Sequence, residues 1–160
     1  SLSALDSARA PDWTPGGIVY QSSDGIQMMS GEQSADSHVI LFDPLKPVDQ
    51  DPDWAGGRVA FQRPGASHWE IWTADANGAN VTALTQPQSV LVNQLPSNVA
   101  PAFSPDGSHI VFISNRTESG EASAWRLWVM NADGSDQHAL PIEITLNYTF
   151  GAEQMVSWGR

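Results

Sequence analysis

Residues 100–140 read APAFSPDGSHIVFISNRTESGEASAWRLWVMNADGSDQHAL, and within them strand-forming runs alternate with turn-forming residues. Ser104-Pro105-Asp106-Gly107 is a turn: proline presets one dihedral, aspartate bonds its own backbone and glycine accepts a positive φ. The apolar run Ile110-Val111-Phe112-Ile113 follows at once. After a polar stretch comes Trp125-Arg126-Leu127-Trp128-Val129-Met130, then Asn131-Ala132-Asp133-Gly134, whose Asp-Gly suits a hairpin loop. The segment therefore predicts strand, turn, strand, loop, strand, turn, strand.

The same grammar recurs outward from this stretch. Asp12-Trp13 precedes Thr14-Pro15-Gly16-Gly17 and Ile18-Val19-Tyr20, and Asp53-Trp54 precedes Ala55-Gly56-Gly57 and Arg58-Val59-Ala60-Phe61. The second copy continues through Trp69 to Ala74 and the turn Asp75-Ala76-Asn77-Gly78. The first is degenerate: Ile26 to Met29 is its third strand, and Gly31 to Ser34 replaces the glycine-closed turn. A further start appears at Tyr148-Thr149-Phe150. The marker aromatics Trp13, Trp54, Phe103 and Phe150 lie 41, 49 and 47 residues apart. A period of ~40 to 50 residues built of four short strands predicts β-propeller blades. The expected fold is all-β, with antiparallel four-stranded blades. Blade 1 spans about 10–48, blade 2 about 51–85, a long connection 86–99, blade 3 about 100–142, and the start of a fourth about 147–160. The continuous apolar run 110–113 fits an inner strand covered on both faces by neighbouring blades.

Bulk properties narrow the function. Seven basic against eighteen acidic residues give a net charge of −11, which repels a nucleic-acid backbone. With no cysteine, disulfide scaffolds and thiolate metal sites are excluded. No apolar run approaches the ~20 residues of a membrane-spanning helix, so no membrane insertion is expected. The four histidines have no metal-binding spacing. Asp75–Gly78 and Asn131–Gly134 lack the later glutamate of a calcium loop. No Gly-x-Ser-x-Gly, His-Glu-x-x-His or phosphate-binding glycine loop occurs, so no cofactor, no metal and no catalytic residue is expected.

Ala102-Phe103-Ser104-Pro105-Asp106-Gly107, Ile110-Val111-Phe112 and Leu127 to Gly134 resemble the repeat of TolB-type propellers, a WD40-like group common in bacteria. Asp12-Trp13, Asp53-Trp54 and Asp75 to Gly78 are weaker copies. The resemblance implies a closed ring of six such blades, of which this chain would supply three and the start of a fourth. It therefore implies either a fragment of a longer propeller or a homodimer whose two copies complete one ring.

Strand direction sorts the loops. Turns joining first to second and third to fourth strands share one face and are short. The opposite face is expected to carry the long segments Asp43–Gln50, Gln62–His68, Thr85–Val99 and Ser114–Ala124, and loops on a rigid scaffold are where binding concentrates. The candidate binding residues there are Arg63, His68, Trp69, Asn93, Gln94, Arg116, Glu118, Glu121 and Trp125. Trp13, Trp54, Trp72 and Trp128 occupy matching repeat positions and are assigned to blade packing.

The resemblance implies a periplasmic or otherwise extracytoplasmic, non-catalytic module binding a protein or peptide partner on this face. Two alternatives stand beside it. One is an accessory propeller gating access to a prolyl-oligopeptidase-like hydrolase, which a neighbouring hydrolase segment in the parent gene would favour. The other is a small-ligand or glycan binder at the axis, which ligand-dependent tryptophan quenching would reveal.

Overall fold

The structure, a computed structural model, describes residues 8–31, 36–43, 49–88, 94–142, 144, 146–149 and 155–159. They form three antiparallel four-stranded sheets, each built from strands consecutive in sequence. The first contains β1 (Arg9–Thr14), β2 (Gly17–Ser22), β3 (Gly25–Met29) and β4 (Ser37–Leu41). In the second are β5 (Gln50–Ala55), β6 (Arg58–Pro64), β7 (Trp69–Asp75) and β8 (Thr82–Ala83); the third has β9 (Asn98–Phe103), β10 (His109–Arg116), β11 (Ala122–Asn131) and β12 (His138–Ala139). These are propeller blades, and the all-β architecture read from the sequence holds.

The turns close as their residues dictate. Gly78 and Gly134 donate their N–H groups to Asp75 and Asn131 carbonyls at 2.8 Å in both cases, with φ of 79° and 87°. They also lie against the preceding blade. A Cβ at Gly78 would overlap the Ile40 carbonyl oxygen, and one at Gly134 would sit 3.1 Å from that of Leu84.

A second device repeats in the innermost strands. Ala10, Asp51 and Ala100 adopt φ of 46°, 48° and 51°, and each precedes a proline, Pro11, Pro52 or Pro101. At each, the register with the second strand shifts, which marks a β-bulge. Holding a non-glycine residue there costs roughly 1 kcal/mol or more, so the surroundings must impose it. Part of that imposition is a ladder between blades. Trp54 N donates to Asp12 Oδ2 (2.8 Å) and Phe103 N to Asp53 Oδ2 (2.7 Å); Asp51 N donates to Gln21 Oε1 (3.3 Å) and Ala100 N to Gln62 Oε1 (2.8 Å). Aligned on strand pairing, blade 3 has Ala102 and Ile113 at these acceptor positions. The ladder therefore runs from blade 1 to blade 3 and stops.

Apolar side chains fill the space between blades. Val19, Ile26, Met28, Ile40 and Leu41 meet Val59, Phe61 and Ala74; on the other side of blade 2, Ala60, Ile71 and Leu84 meet Phe103, Ile110, Phe112, Trp128 and Met130. The run 110–113 is buried throughout, at 0, 7, 0 and 1% exposure, as a strand covered on both faces requires. Removing one such side chain from water contributes roughly 1.5–3 kcal/mol. On the far side of blade 3, Ile113 packs with Tyr148, and with Leu146 and Val156 from the C-terminal segment. The described residues after β12 form no strand; Leu146 makes an isolated bridge to Trp125.

Two expectations need correction. Trp13 is not blade packing. It faces away from blade 2 and is 78% exposed, whereas Phe103 at the matching position is 5% exposed against blade 2. The segments Gln62–His68 and Ser114–Ala124 are partly strand. β6 runs to Pro64 and β10 to Arg116, β11 begins at Ala122, and the loops are only residues 65–68 and 117–121. Polar residues at strand ends read as loop because their burial depends on the neighbouring blade.

Candidate interaction face

Each of the two clefts between blades is capped by an arginine at the outer end of a second strand. Arg63 lies over Trp72 and Phe61, with its guanidinium carbon 4.7 and 5.2 Å from the ring centroids. Its Nε and Nη2 donate to Asp49 Oδ1 and Oδ2, both at 2.7 Å, a bidentate pair. Arg116 lies over Trp128 and Phe112 at 4.0 and 5.4 Å, and its Nη1 donates to Gln137 Oε1 at 2.8 Å. Gln137 is held in turn by its amide donating to the Leu84 and Gly134 carbonyls.

The arginines differ in what meets the fork. Asn98 occupies in blade 3 the position of Asp49 in blade 2, and it turns its amide to Glu70 Oε2 at 2.8 Å. Glu70 Oε2 also accepts from the Thr85 hydroxyl, which itself accepts from Ile71 N at 2.8 Å. His68 Nε2 lies 3.3 Å from Glu70 Oε1. Arg116 Nε and Nη2 have no hydrogen-bond partner among the described residues, nor do the acceptors Glu70 Oε1 and Asn98 Oδ1 of the same cluster. Burial pushes the Glu70 carboxyl up, opposed by the Thr85 and Asn98 hydrogen bonds and by the charges of His68 and Arg116. Burial likewise pulls Arg116 down, opposed by Glu70 and Glu118.

Beside this cluster the loop 117–121 turns tightly, with Thr117 N donating to Glu121 O at 2.8 Å and Glu121 N to Thr117 Oγ1 at 3.1 Å. Arg116, Thr117, Glu118, Ser119, Ser123 and Arg126 wall a pocket of ≈ 320 Å³.

The nine residues nominated from sequence therefore divide. Arg116 and Glu118 wall the pocket, and Glu121 is exposed at the end of the same turn. His68 and Trp69 lie on the other side of the cleft, with Trp69 N donating to Ser97 Oγ at 3.1 Å. Trp125 is half-buried, its ring 5.1 Å from that of Tyr148. Arg63 belongs to the other cleft and is engaged by Asp49. Gln94 is exposed, and Asn93 lies outside the described residues. Glu70, Asn98 and Arg126 were missed. Aligning Asn98 with Asp49 was the available signal, and it needed the bulge register to be seen.

The opposite face is closed on itself. Asp106 Oδ1 accepts from Ser104 Oγ, Ser108 N and Ser108 Oγ at 2.6–3.0 Å, and Asp133 Oδ1 accepts from Ser135 N and Oγ at 2.9 and 2.6 Å. These bonds hold both carboxyls below the usual carboxylate range.

No family model matches the chain. It is 30% identical over 90 residues to the Tol-Pal system protein TolB of Anaeromyxobacter sp. (strain K), a match that covers 56% of this chain and 19% of that protein. The chain thus spans about a fifth of the length of the curated relatives it matches. Among solved structures it superposes on TolB from Acinetobacter baumannii with a TM-score of 0.62 at 18% identity, over 86% of this chain and 33% of that one. It also superposes on part of a nidogen/laminin complex with a TM-score of 0.59 at 11% identity, over 82% of this chain and 47% of that one.

Proposed function

We propose that this chain, which is built of TolB-type β-propeller repeats, is a non-catalytic interaction module of a larger bacterial protein. It works outside the cytoplasm and binds a protein or peptide segment on the face bearing residues 65–68 and 117–121. The single observation that carries this reading is the asymmetry of the two faces. The short-turn face is made of tight turns that spend their carboxylates on their own hydroxyls and backbone, whereas the other presents a concave pocket whose wall carries the exposed Arg126 and Ser123. Polar groups already satisfied within a tight turn have little to offer a partner, whereas a concave pocket with an exposed charge on its wall does. The similarity to a Tol-Pal system protein supports a role in protein assembly, with the partner left open.

Panning a random peptide library on the immobilised chain, then mapping bound peptides by amide chemical-shift changes, tests this. Shifts should cluster at 65–68 and 117–121. Peptides that map to the turns at Gly107 and Gly134, or none selected above background, would overturn it.

A further inference from the structure

The cleft between blades 2 and 3 holds two unmet donors, Arg116 Nε and Nη2, and two unmet acceptors, Glu70 Oε1 and Asn98 Oδ1. All four atoms are closed off from solvent and from the pocket beside them. Buried polar atoms are normally paired, so a matched set left unpaired in one cluster needs a reason. The other cleft shows the paired arrangement, with Nε and Nη2 of Arg63 each given to an oxygen of Asp49. Asn98 stands at the Asp49 position, and together with Glu70 it offers the same number of oxygens, one from each residue. What keeps Glu70 Oε1 from the fork is His68. Its Nε2 lies 3.3 Å from Oε1, at ion-pair distance but without the alignment of a hydrogen bond. The hold is therefore one of charge, and it needs a proton on the pair. His68 Nδ1 is buried without a partner as well, so the ring gains no second bond when it carries that proton.

We infer that this cleft is a proton-operated latch. While His68 and Glu70 hold one proton between them, Oε1 stays with the imidazole. Once that proton leaves to solvent, the Arg116 fork closes on Glu70 Oε1 and Asn98 Oδ1 and draws the tip of the β10–β11 hairpin onto blade 2. Raising the pH favours closure, because the open state binds one proton more than the closed one. An imidazole beside a carboxyl that burial pushes up loses its proton as a coupled pair, so the transition belongs to the pair. Blade 2 brings His68 and Glu70 to the latch, blade 3 brings Arg116, and the loop 117–121 brings Glu118, whose charge also acts on Arg116. Glu118 is exposed, so solvent screens its pull, whereas Glu70 meets the fork in a dry cleft. Thr85 and the Asn98 amide hold Glu70 Oε2, and Gln137 holds Arg116 Nη1. Arg63 and Asp49 engage each other in the other cleft. Residues 65–68 and 117–121 flank the latch, so its state sets the shape of the face to which binding is assigned. The latch goes beyond the interaction-module reading and does not depend on it.

The test labels the protein with ¹⁵N-arginine, ¹³C-glutamate and ¹⁵N-histidine. It follows Arg116 Nε–H, the Glu70 carboxyl and the His68 ring from about pH 5 to about pH 9, with no ligand present. Arg63 Nε–H is the internal reference for a guanidinium held by two oxygens. With rising pH the Arg116 signal should move toward the Arg63 position, at a midpoint that Glu70 and His68 share. His68→Phe removes the competitor and should lower that midpoint by about one unit or more. Glu70→Gln keeps an acceptor for Thr85 and Asn98 but cannot ionise, and should hold the Arg116 signal at one position throughout. Asp53→Asn removes another carboxyl that burial pushes up to about 7, and should leave the movement intact. Should the buried Glu70→Gln unfold the protein, the wild-type titration and His68→Phe carry the test. A fixed Arg116 signal in the wild type, a movement lost in Glu118→Gln or Asp53→Asn, or a midpoint indifferent to His68→Phe would each overturn the latch. Library peptides that bind this face while Arg116 stays fixed would sink the latch and leave the interaction module standing. A working latch in a protein that selects no peptide would do the reverse.

Discussion

Asp53 is the titratable residue whose chemistry is most at odds with its place. Desolvation near the axis pushes its carboxyl up from 3.8 to about 7; the Phe103 N–H opposes this and the charge of Asp12 adds to it. The folded state thus holds a proton that the unfolded state releases near pH 4. Protonation favours folding here, so this residue's contribution falls as pH rises from about 4 through about 7 and is flat above. Asp53→Asn keeps an acceptor for Phe103 N and removes the charge. Urea midpoints at pH 5 and pH 8 should therefore drop with pH in the wild type and drop less in the variant. Equal drops would place the ionisation elsewhere.

At the scale of elements, the hairpin of β10 and β11 shows what sequence revealed and what it hid. The turn residues and apolar runs of 104–113 and 125–134 were legible because their chemistry is local: glycine at positive φ, proline at a preset dihedral, aliphatics between blades. Ser114 and Arg116 were not, because nothing local distinguishes a polar residue at a covered strand end from one in a loop. Ser114 is fully buried and Arg116 nearly so only because blade 2 lies alongside. The candidate site suffered the same way: Arg116 and Glu118 were recognisable as charges on the long-loop side, while Glu70 and Asn98 were hidden within strands. Excising 114–124 should consequently unfold blade 3. Replacing only 117–121 by Asn-Gly joins Arg116 to Ala122, which already face each other, in a favoured hairpin. That replacement should change stability by less than about 1 kcal/mol in urea titration while abolishing peptide binding, since shorter loops cost little to close. Gly78 offers a converse case. Gly78→Ala forces both a strained φ and an overlap with Ile40, and should cost about 2 kcal/mol or more, against about 1 kcal/mol for Gly134→Ala, where the Leu84 carbonyl stands farther off.

The whole molecule is an arc with two unlike ends. Blade 3 closes its flank with Tyr148, Leu146 and Val156, and Tyr148 OH reaches back to Gln62 Oε1 at 3.3 Å. Blade 1 leaves Trp13 and Val39 exposed at 78% and 49%, and Trp13 N bonds its own Asp12 Oδ1, at 2.9 Å. Its counterparts Trp54 and Phe103 instead receive a carboxylate from the blade before. A surface that complements this flank would present an acidic acceptor to Trp13 N and an apolar face to its indole. A second copy docked head to tail would present Ala102 and Ile113, which supply no acceptor, so ring closure between two copies would lack the bonds that join blades within one. The isolated protein should therefore scatter light as a monomer at micromolar concentration; a stable dimer dissolved by Trp13→Ser would show that apolar contact alone suffices. The same asymmetry predicts stabilities. Trp13→Ser should change the folding free energy by less than about 0.5 kcal/mol, because an indole already in water loses no burial. Trp54→Ser strips a packed indole from between blades 1 and 2 and should cost about 3 kcal/mol. Equal losses in urea titration would mean that the flank at Trp13 is covered in solution, and by the protein's own residues if the mass remains that of a monomer.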